Sequence, residues 1–313
     1  MALELTTHWL WDFWLARDGA AHHLFYLQAP RSLGREELRH WNATVGHAVS
    51  NDLRDWEVRP DALAPGPAGA WDDRAVWTGS VIAHDRRWWM LYTGVAAADD
   101  GLIQRIGLAV SDDLQRWERH PANPVLEADP RWYEQGVPAE WHDQAWRDPY
   151  LVRHPDTGEF HAFITARASA GPVRGRGVIA HARSTDLEHW QVLPPVAGSC
   201  GRYGQLEVPQ VVEVDGRWVL LFSRSIEYDD AARAEATTGT HLLMSDDPLG
   251  PYDCDAEIVL AADAAGSLYS GKLAHHDGRW WFLAFRNYRG GDFVGSLADP
   301  LPVDVLDGRP VLA

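Results

Sequence analysis

Ser50-Asn51-Asp52-Leu53-Arg54-Asp55-Trp56 returns as Ser111-Asp112-Asp113-Leu114-Gln115-Arg116-Trp117 and again as Ser184-Thr185-Asp186-Leu187-Glu188-His189-Trp190. A weaker fourth copy is Ser245-Asp246-Asp247-Pro248-Leu249 with Tyr252, and a degraded fifth runs from Ser296 to Leu301. The motif serines at 50, 111, 184 and 245 are separated by 61, 73 and 61 residues. Ahead of each copy lies an aromatic-rich run: His23 to Gln28, Trp88 to Thr93, Phe160 to Thr165, Trp218 to Ser223 and Trp280 to Phe285. A period near 60 with several short strands per unit is the mark of propeller blades. The expected fold is all-β: one five-bladed β-propeller over 1–313, with four-stranded antiparallel blades around a central axis. A propeller grows by adding blades, so this length needs no second core.

Within each unit, Val, Ile, Phe, Tyr and Trp alternate with polar residues, and Asp156-Thr157-Gly158, Asp215-Gly216 and Asp277-Gly278 supply tight turns. These turns join the first strand of a blade to its second. The Ser-x-Asp-Leu motif then follows the third strand. Its Ser and Asp bond nearby backbone N–H groups, while Leu and Trp plug the gap between blades. The motif is therefore scaffold, and its use is to fix the phase of every blade. Helix is hard to place apart from a turn near Arg35 to Arg39.

The net charge of −17 and pI of about 5.2 exclude nucleic acid and anionic membranes as partners, since both need a basic surface. A small, neutral carbohydrate fits better. Trp occurs 17 times. Those outside the repeat phase (Trp9, Trp11, Trp14, Trp41, Trp71, Trp77, Trp132, Trp141 and Trp146) are too many for packing alone, and flat rings stack on sugar C–H faces. Two cysteines, Cys200 and Cys254, give no disulfide framework, and Cys200 reads as a small buried filler. Met1 to Trp11 lacks a leader pattern and no stretch is long enough to span a membrane, so a cytoplasmic setting is expected. The histidines show no ligand spacing; His22-His23 and His275-His276 read as surface residues, and no metal or cofactor is called for.

The first strand of a propeller blade faces the axis. Reading back from each turn gives Trp11-Asp12-Phe13-Trp14, Trp77-Thr78-Gly79-Ser80, Trp146-Arg147-Asp148-Pro149, Leu206-Glu207-Val208-Pro209 and Tyr269-Ser270-Gly271-Lys272. Asp12, Asp148 and Glu207 fall at about the same point, so three carboxylates far apart in sequence converge at the axis. Such a cluster is costly, because like charges raise one another's pKa. It is also what glycosidic cleavage needs: one carboxylate to attack or to activate water, and one acid to protonate the leaving oxygen. The plainer alternative is that each carboxylate pairs with a neighbouring Arg or backbone N–H.

At these residues the chain resembles the five-bladed propeller glycoside hydrolases of families 32 and 68. His23-Leu24-Phe25-Tyr26 with Gln28, and Gly46-His47-Ala48-Val49-Ser50 with Asp52-Leu53 and Trp56, look like the first blade of family 32. Trp77-Thr78-Gly79-Ser80 is similar to its Phe-Ser-Gly-Ser element, Arg147-Asp148-Pro149 matches its Arg-Asp-Pro motif, and Glu207-Val208-Pro209 resembles its Glu-Cys-Pro motif. Trp11-Asp12-Phe13-Trp14 departs from the Asn-Asp-Pro-Asn of family 32 and is closer to family 68. Val45 stands where a Trp usually precedes Gly-His, with Trp41 nearby. Five units use the length given, leaving none for the C-terminal β-sandwich typical of family 32.

The resemblance implies a retaining β-fructofuranosidase-like glycosidase. Asp12 would be the nucleophile and Glu207 the general acid and then base, a role that needs a raised pKa. Asp148 with Arg147 would hold sugar hydroxyls and favour the oxocarbenium-like transition state. Trp14, Gln28, Trp41, Trp77, Ser80, Arg147 and Lys272 are the expected substrate contacts, Lys272 as a contact or as a neutralising charge. Two other readings stay open: an inverting arabinofuranosidase or xylosidase of the family 43 type, and a non-catalytic carbohydrate-binding propeller. A retaining site needs its two carboxyls about 5 Å apart, an inverting one about 6.5–9.5 Å.

Overall fold

A computed structural model describes residues 3–198, 200–229 and 237–313. Blade 1 is β1 (His8–Asp18), β2 (Ala21–Pro30), β3 (Thr44–Ser50) and β4 (Glu57–Leu63); blade 2 is β5 (Ala75–His84), β6 (Arg87–Val95), β7 (Gln104–Ser111) and β8 (Glu118–Arg119). Blade 3 is β9 (Trp146–Arg153), β10 (Phe160–Arg167), β11 (Gly177–Ser184) and β12 (Gln191–Gly198). Blade 4 is β13 (Glu207–Val214), β14 (Arg217–Arg224), β15 (Thr238–Ser245) and β16 (Ile258–Asp263). Blade 5 is β17 (Leu268–His276), β18 (Arg279–Arg289), β19 (Asp292–Leu297), β20 (Leu301–Leu306) and β21 (Arg309–Leu312). All pairings are antiparallel between neighbours. The degraded fifth repeat has a structural counterpart: the third-strand position of blade 5 is split, β19 pairing one end of β18 and β20 the other.

β1, β5, β9, β13 and β17 each touch the next, and β17 meets β1, so the five inner strands close a ring. The expected five-bladed propeller is therefore present. The seam between blades 5 and 1 is held by Arg31 Nη2 donating to Val294 O (3.1 Å), by Leu297 N donating to Leu3 O (2.9 Å) and by a His22–His276 ring contact (3.0 Å). The expectation that these histidines lie on the surface is wrong for His22 and His23. Both are buried, and His23 pairs with His47 at 3.0 Å. Burial holds both below the usual imidazole pKa, and each ring shares a hydrogen bond with one other histidine.

The repeat motif behaves as its residue types predict. Ser50 Oγ donates to Asp52 Oδ1 (2.9 Å), which also accepts the N–H groups of Arg54 and Asp55 (2.8 Å each). The same bonds recur at Ser111–Asp113 and Ser184–Asp186. This turn forces Leu53, Leu114 and Leu187 into the left-handed region at φ of 62, 61 and 69°. Each is buried to about 1% exposure or less, which offsets a conformation that leucine disfavours. Trp117 of blade 2 meets Phe25 of blade 1 edge-on at 5.7 Å, so the motif tryptophan does plug a seam. The turn anticipated near Arg35 to Arg39 is a 3-10 helix over Glu36–Asn42. Among the described residues, no helix is long and apolar enough to cross a membrane.

Candidate active site

Every inner strand loses register with its second strand at one place. The breaks lie between Trp11 and Phe13, Trp77 and Gly79, Arg147 and Tyr150, Glu207 and Gln210, and Tyr269 and Lys272. A bulge re-aims the residues at the break, and here five bulges re-aim them at the axis. They align the chain in two ranks. The residues just before the bulge are Trp11, Trp77, Arg147, Glu207 and Tyr269; those on it are Asp12, Thr78, Asp148, Val208 and Ser270. Asp12 and Asp148 thus share a rank, while Glu207 stands one residue earlier, level with Arg147 and Tyr269. That offset decides the contacts. Arg147 Nη2 donates to Glu207 Oε1 (2.7 Å), and Tyr269 Oη donates to Glu207 Oε2 (2.5 Å).

The bulges of blades 3, 4 and 5 place Asp148, Val208 and Ser270 at φ of 57, 51 and 53°, unusual for residues with a Cβ. A hydroxyl from the preceding blade holds each in place. Thr93 Oγ1 accepts Asp148 N–H (3.0 Å), Thr165 Oγ1 accepts Val208 N–H (3.2 Å) and Ser223 Oγ accepts Ser270 N–H (3.0 Å). Thr93, Thr165 and Ser223 occupy one position on their second strands, opposite Trp77, Arg147 and Glu207. Blades 1 and 5 carry Leu27 and Phe285 there, so Asp12 receives no such latch. Ser270 Oγ donates to the Asp12 carboxylate instead.

The three carboxylates do not share one environment. Asp148 is 4% exposed; its Oδ2 accepts from Thr165 Oγ1 (2.9 Å) and Val208 N–H (3.2 Å) and lies 3.6 Å from Arg147 Nε. Burial raises its pKa and Glu207 adds to this, while Arg147 opposes it. Asp12 and Glu207 retain some solvent contact, the Glu207 side chain at 15% exposure. Asp12 is nonetheless surrounded by protein. Burial first, then the neighbouring charge of Asp148, pushes it from 3.8 to about 7, with the Ser270 bond pulling the other way.

Arg147 is 8% exposed and anchored besides by Gln104 Oε1 (3.1 Å), Asp143 Oδ2 (3.2 Å) and Gln205 Oε1 (2.6 Å). Burial works against its charge, but Asp143, Glu207 and Asp148 outweigh it and keep the guanidinium protonated. Lys272 is buried, and its Nζ donates to Val208 O and Pro209 O, the backbone of the Glu207 bulge. Burial lowers its pKa to about 7 against the pull of Asp148 and Asp12. Placed in this way, Lys272 faces the charges of Asp148 and Asp12 without bonding to them. Among the described residues, no group of three His, Cys, Asp or Glu side chains is arranged to hold a metal ion.

Of the expected contact residues, Arg147 and Lys272 join this cluster. Trp77 packs beside Trp41 (5.6 Å), with its Nε1 donating to His40 O (2.7 Å). The other three make contacts elsewhere. Trp14 is 1% exposed and stacked on Phe25 inside blade 1, because the residue two beyond a bulged Asp12 turns into the blade. Gln28 spends its amide on Asp61 (2.8 Å) and Thr44 (3.4 Å) in the outer strands. Ser80 Oγ accepts Leu151 N–H (2.9 Å), a tie between blades 2 and 3. Much of the aromatic excess likewise fills the interior: Trp9, Trp11, Trp14 and Trp146 are all buried core.

Residues that the sequence reading passed over include Tyr269, Ser270 and Thr165. The first two sit in the quoted inner stretch of blade 5, and aligning it with Glu207 would have found Tyr269. Thr165 ends one of the aromatic runs, as Thr93 and Ser223 end two others. Tyr228 and His142 stack at 5.2 Å within the electrostatic reach of Glu207; they lie in connections with no repeat phase, so the repeat does not mark them.

Comparison with known proteins places the family and the fold. The bifunctional 6(G)-fructosyltransferase/2,1-fructan:2,1-fructan 1-fructosyltransferase of Allium cepa is 28% identical over 231 residues, 72% of this chain and 34% of that protein. The chain thus spans about a third of that relative's length. Two solved structures share the fold. The inulosucrase of Halalkalicoccus jeotgali bound to kestose has TM-score 0.80 and 21% identity, over 98% of this chain and 87% of that one. A β-fructofuranosidase of Bombyx mori has TM-score 0.74 and 20% identity, over 100% and 64%. The profile of the glycosyl hydrolases family 32 N-terminal domain matches residues 15–275, most of the chain, and so the chain belongs to glycosyl hydrolase family 32.

Proposed function

We propose that the chain is a retaining glycosidase that removes a terminal β-fructofuranosyl unit from a small saccharide. The observation that carries this reading is the unequal treatment of the three carboxylates. Asp12 and Glu207 keep an open face, each gripped by one hydroxyl of blade 5, whereas Asp148 is sealed among Arg147, Thr165 and Val208. Two accessible carboxyls and one buried one suit two reacting groups and one that orients.

In the proposed reaction, ionised Asp12 attacks the anomeric carbon of the fructosyl ring while protonated Glu207 gives its proton to the departing glycosidic oxygen. The bond to the leaving sugar breaks and an ester to Asp12 forms. Glu207, now a carboxylate, takes a proton from water; the hydroxide attacks the same carbon, and the ester oxygen returns to Asp12. Arg147 fixes Glu207 through one oxygen and Tyr269 through the other, so the proton donor has one defined orientation. A second sugar in place of water gives transfer, the activity in the name of the Allium cepa relative.

The test is incubation with sucrose and fructo-oligosaccharides beside aryl arabinofuranosides and xylosides, following the first anomer released by NMR. Release of β-fructofuranose with retention is expected. Turnover of the pentosides alone, with inversion, would replace this reading with the family 43 type. Turnover unaltered by Asp12→Asn and Glu207→Gln would overturn the site assignment.

A further inference from the structure

The seam between blades 3 and 4 carries the only two cysteines of the chain. Cys200 follows β12, the outer strand of blade 3, while Cys254 opens the 3-10 turn Cys254–Ala256 just before β16, the outer strand of blade 4. Fifty-four positions apart, they face each other across the seam, each side chain near enough to shift the other's titration. Cys254 Sγ also lies 3.8 Å from Gly198 O, two residues before Cys200. Arg202, two residues after Cys200, reaches across the seam to Cys254 O (3.3 Å) and to the Asp255 carboxylate. The segment around Cys200 is thus pinned against Cys254 on both sides.

Cys200 is exposed and Cys254 buried, which corrects the expectation that Cys200 is a buried filler. Polarity explains the reversal: Cys200 sits in a polar connection beside the Arg202 guanidinium, whereas Cys254 packs with Tyr203, Ala197 and Tyr252. We propose that Cys200 and Cys254 are a thiol–disulfide pair that oxidises to a single intramolecular bridge, stapling blade 3 to blade 4. The exposed thiol is the attacking group, and contact with Cys254 and Arg202 holds it below the ordinary thiol range, at about 6.

With a low-molecular-weight disulfide as oxidant, the Cys200 thiolate attacks one of its sulfurs and expels one thiolate. Cys254 then loses its proton and attacks Cys200 Sγ, expelling the second. Two protein thiols are oxidised and one oxidant disulfide is reduced to two thiols. The bridge would tether the connection that runs through Gly204 and Gln205 to Glu207. Gly204 O accepts from Arg167 (3.0 Å) and Gln205 accepts from Arg147 (2.6 Å), so the tethered segment feeds directly into the site.

The experiment treats the full chain with oxidised glutathione and, separately, with excess reduced glutathione. The expected result is loss of both titratable thiols, a mass lower by two hydrogens, a Cys200–Cys254 linked peptide in the digest, and an unfolding midpoint about 5 °C above the reduced form. The Cys200→Ser variant, changed at an exposed position, should keep one thiol and show no redox-dependent midpoint. A stable glutathione adduct on Cys200 with Cys254 still titratable, or disulfide-linked dimers, would overturn the proposal, and so would a bridged form that melts no higher than the reduced one. None of these readouts involves saccharide turnover.

Discussion

Replacing Asp12 by asparagine should stabilise the protein at alkaline pH and leave it unchanged in acid. Asp12 sits where burial and Asp148 lift its pKa from 3.8 to about 7, so the folded state holds a proton that the unfolded state gives up. Below about pH 4 the carboxyl is protonated in both states and contributes nothing either way. Between about pH 4 and 7 the unfolded chain ionises while the folded one resists, and stability falls as pH rises. Above about 7 both are ionised and the penalty levels off. A shift of about three units at about 1.36 kcal/mol each is about 4 kcal/mol. Asp12 keeps some solvent contact, which lowers this, so about 2–4 kcal/mol is the working range. The Asp12→Asn side chain can still accept from Ser270 and has no charge to desolvate. Unfolding entropy of about 2.1 cal/mol/K per residue over this length makes that about 3–6 °C in midpoint. Thermal melts of parent and variant from pH 4 to 9 read the difference directly. A gap that opens between pH 4 and 8 in favour of the variant is expected, along with a loss of turnover of about 10³-fold or more. A gap that stays flat across that range, or a variant less stable than the parent at pH 8, would refute the burial argument for Asp12.

Tyr269→Phe deletes the 2.5 Å bond to Glu207 Oε2 without changing ring packing; kcat/KM should fall about 10- to 100-fold with the melting midpoint little changed, measured by sucrose kinetics alongside calorimetry. Thr165→Val removes the acceptor of Val208 N–H and the donor to Asp148 together. Denaturant melts should show a loss of about 1–3 kcal/mol, largely restored by Thr165→Ser. The same variant should lower kcat more than it changes KM, because the group it displaces is not at the surface. Gly79 lies in the β5 bulge, where an added Cβ would strike the Leu91 carbonyl oxygen. The Gly79→Ala variant should therefore give little soluble protein, and recovery at parental yield and melting midpoint would show that the bulge is more pliable than its packing implies.

Much of the fold was legible because a repeat shows each solution five times. Once the Ser-x-Asp-Leu motif was placed at the end of the third strand, the five inner stretches followed by counting back through two strands and one turn. All five coincide with β1, β5, β9, β13 and β17. Blade 5 was legible only as a degraded copy, since its β19 and β20 divide between them the edge that one strand occupies elsewhere. The three carboxylates were legible as a convergent set. Their unequal surroundings were not, because Asp12 and Asp148 are the same residue type in the same rank and differ in what the neighbouring blade offers them. Trp14, Gln28 and Ser80 show the same limit: composition marks a residue as suited to sugar, while its side of the strand decides what it touches.

Residue order alone therefore determined the blade count, the phase of each blade and which acids come to the axis, since these rest on local alternation and on a repeated turn. Tertiary structure decided the register at the bulges, and with it the two ranks that set Glu207 level with Arg147 and Tyr269, one residue off Asp12 and Asp148. A bulge gains its stability from hydrogen bonds to the next blade, such as Thr165 to Val208 and Ser223 to Ser270. Those partners are 43 and 47 residues away. The hydroxyls that make these contacts recur at one place in the repeat, but which residue of the adjoining blade each one meets is settled only when the ring closes.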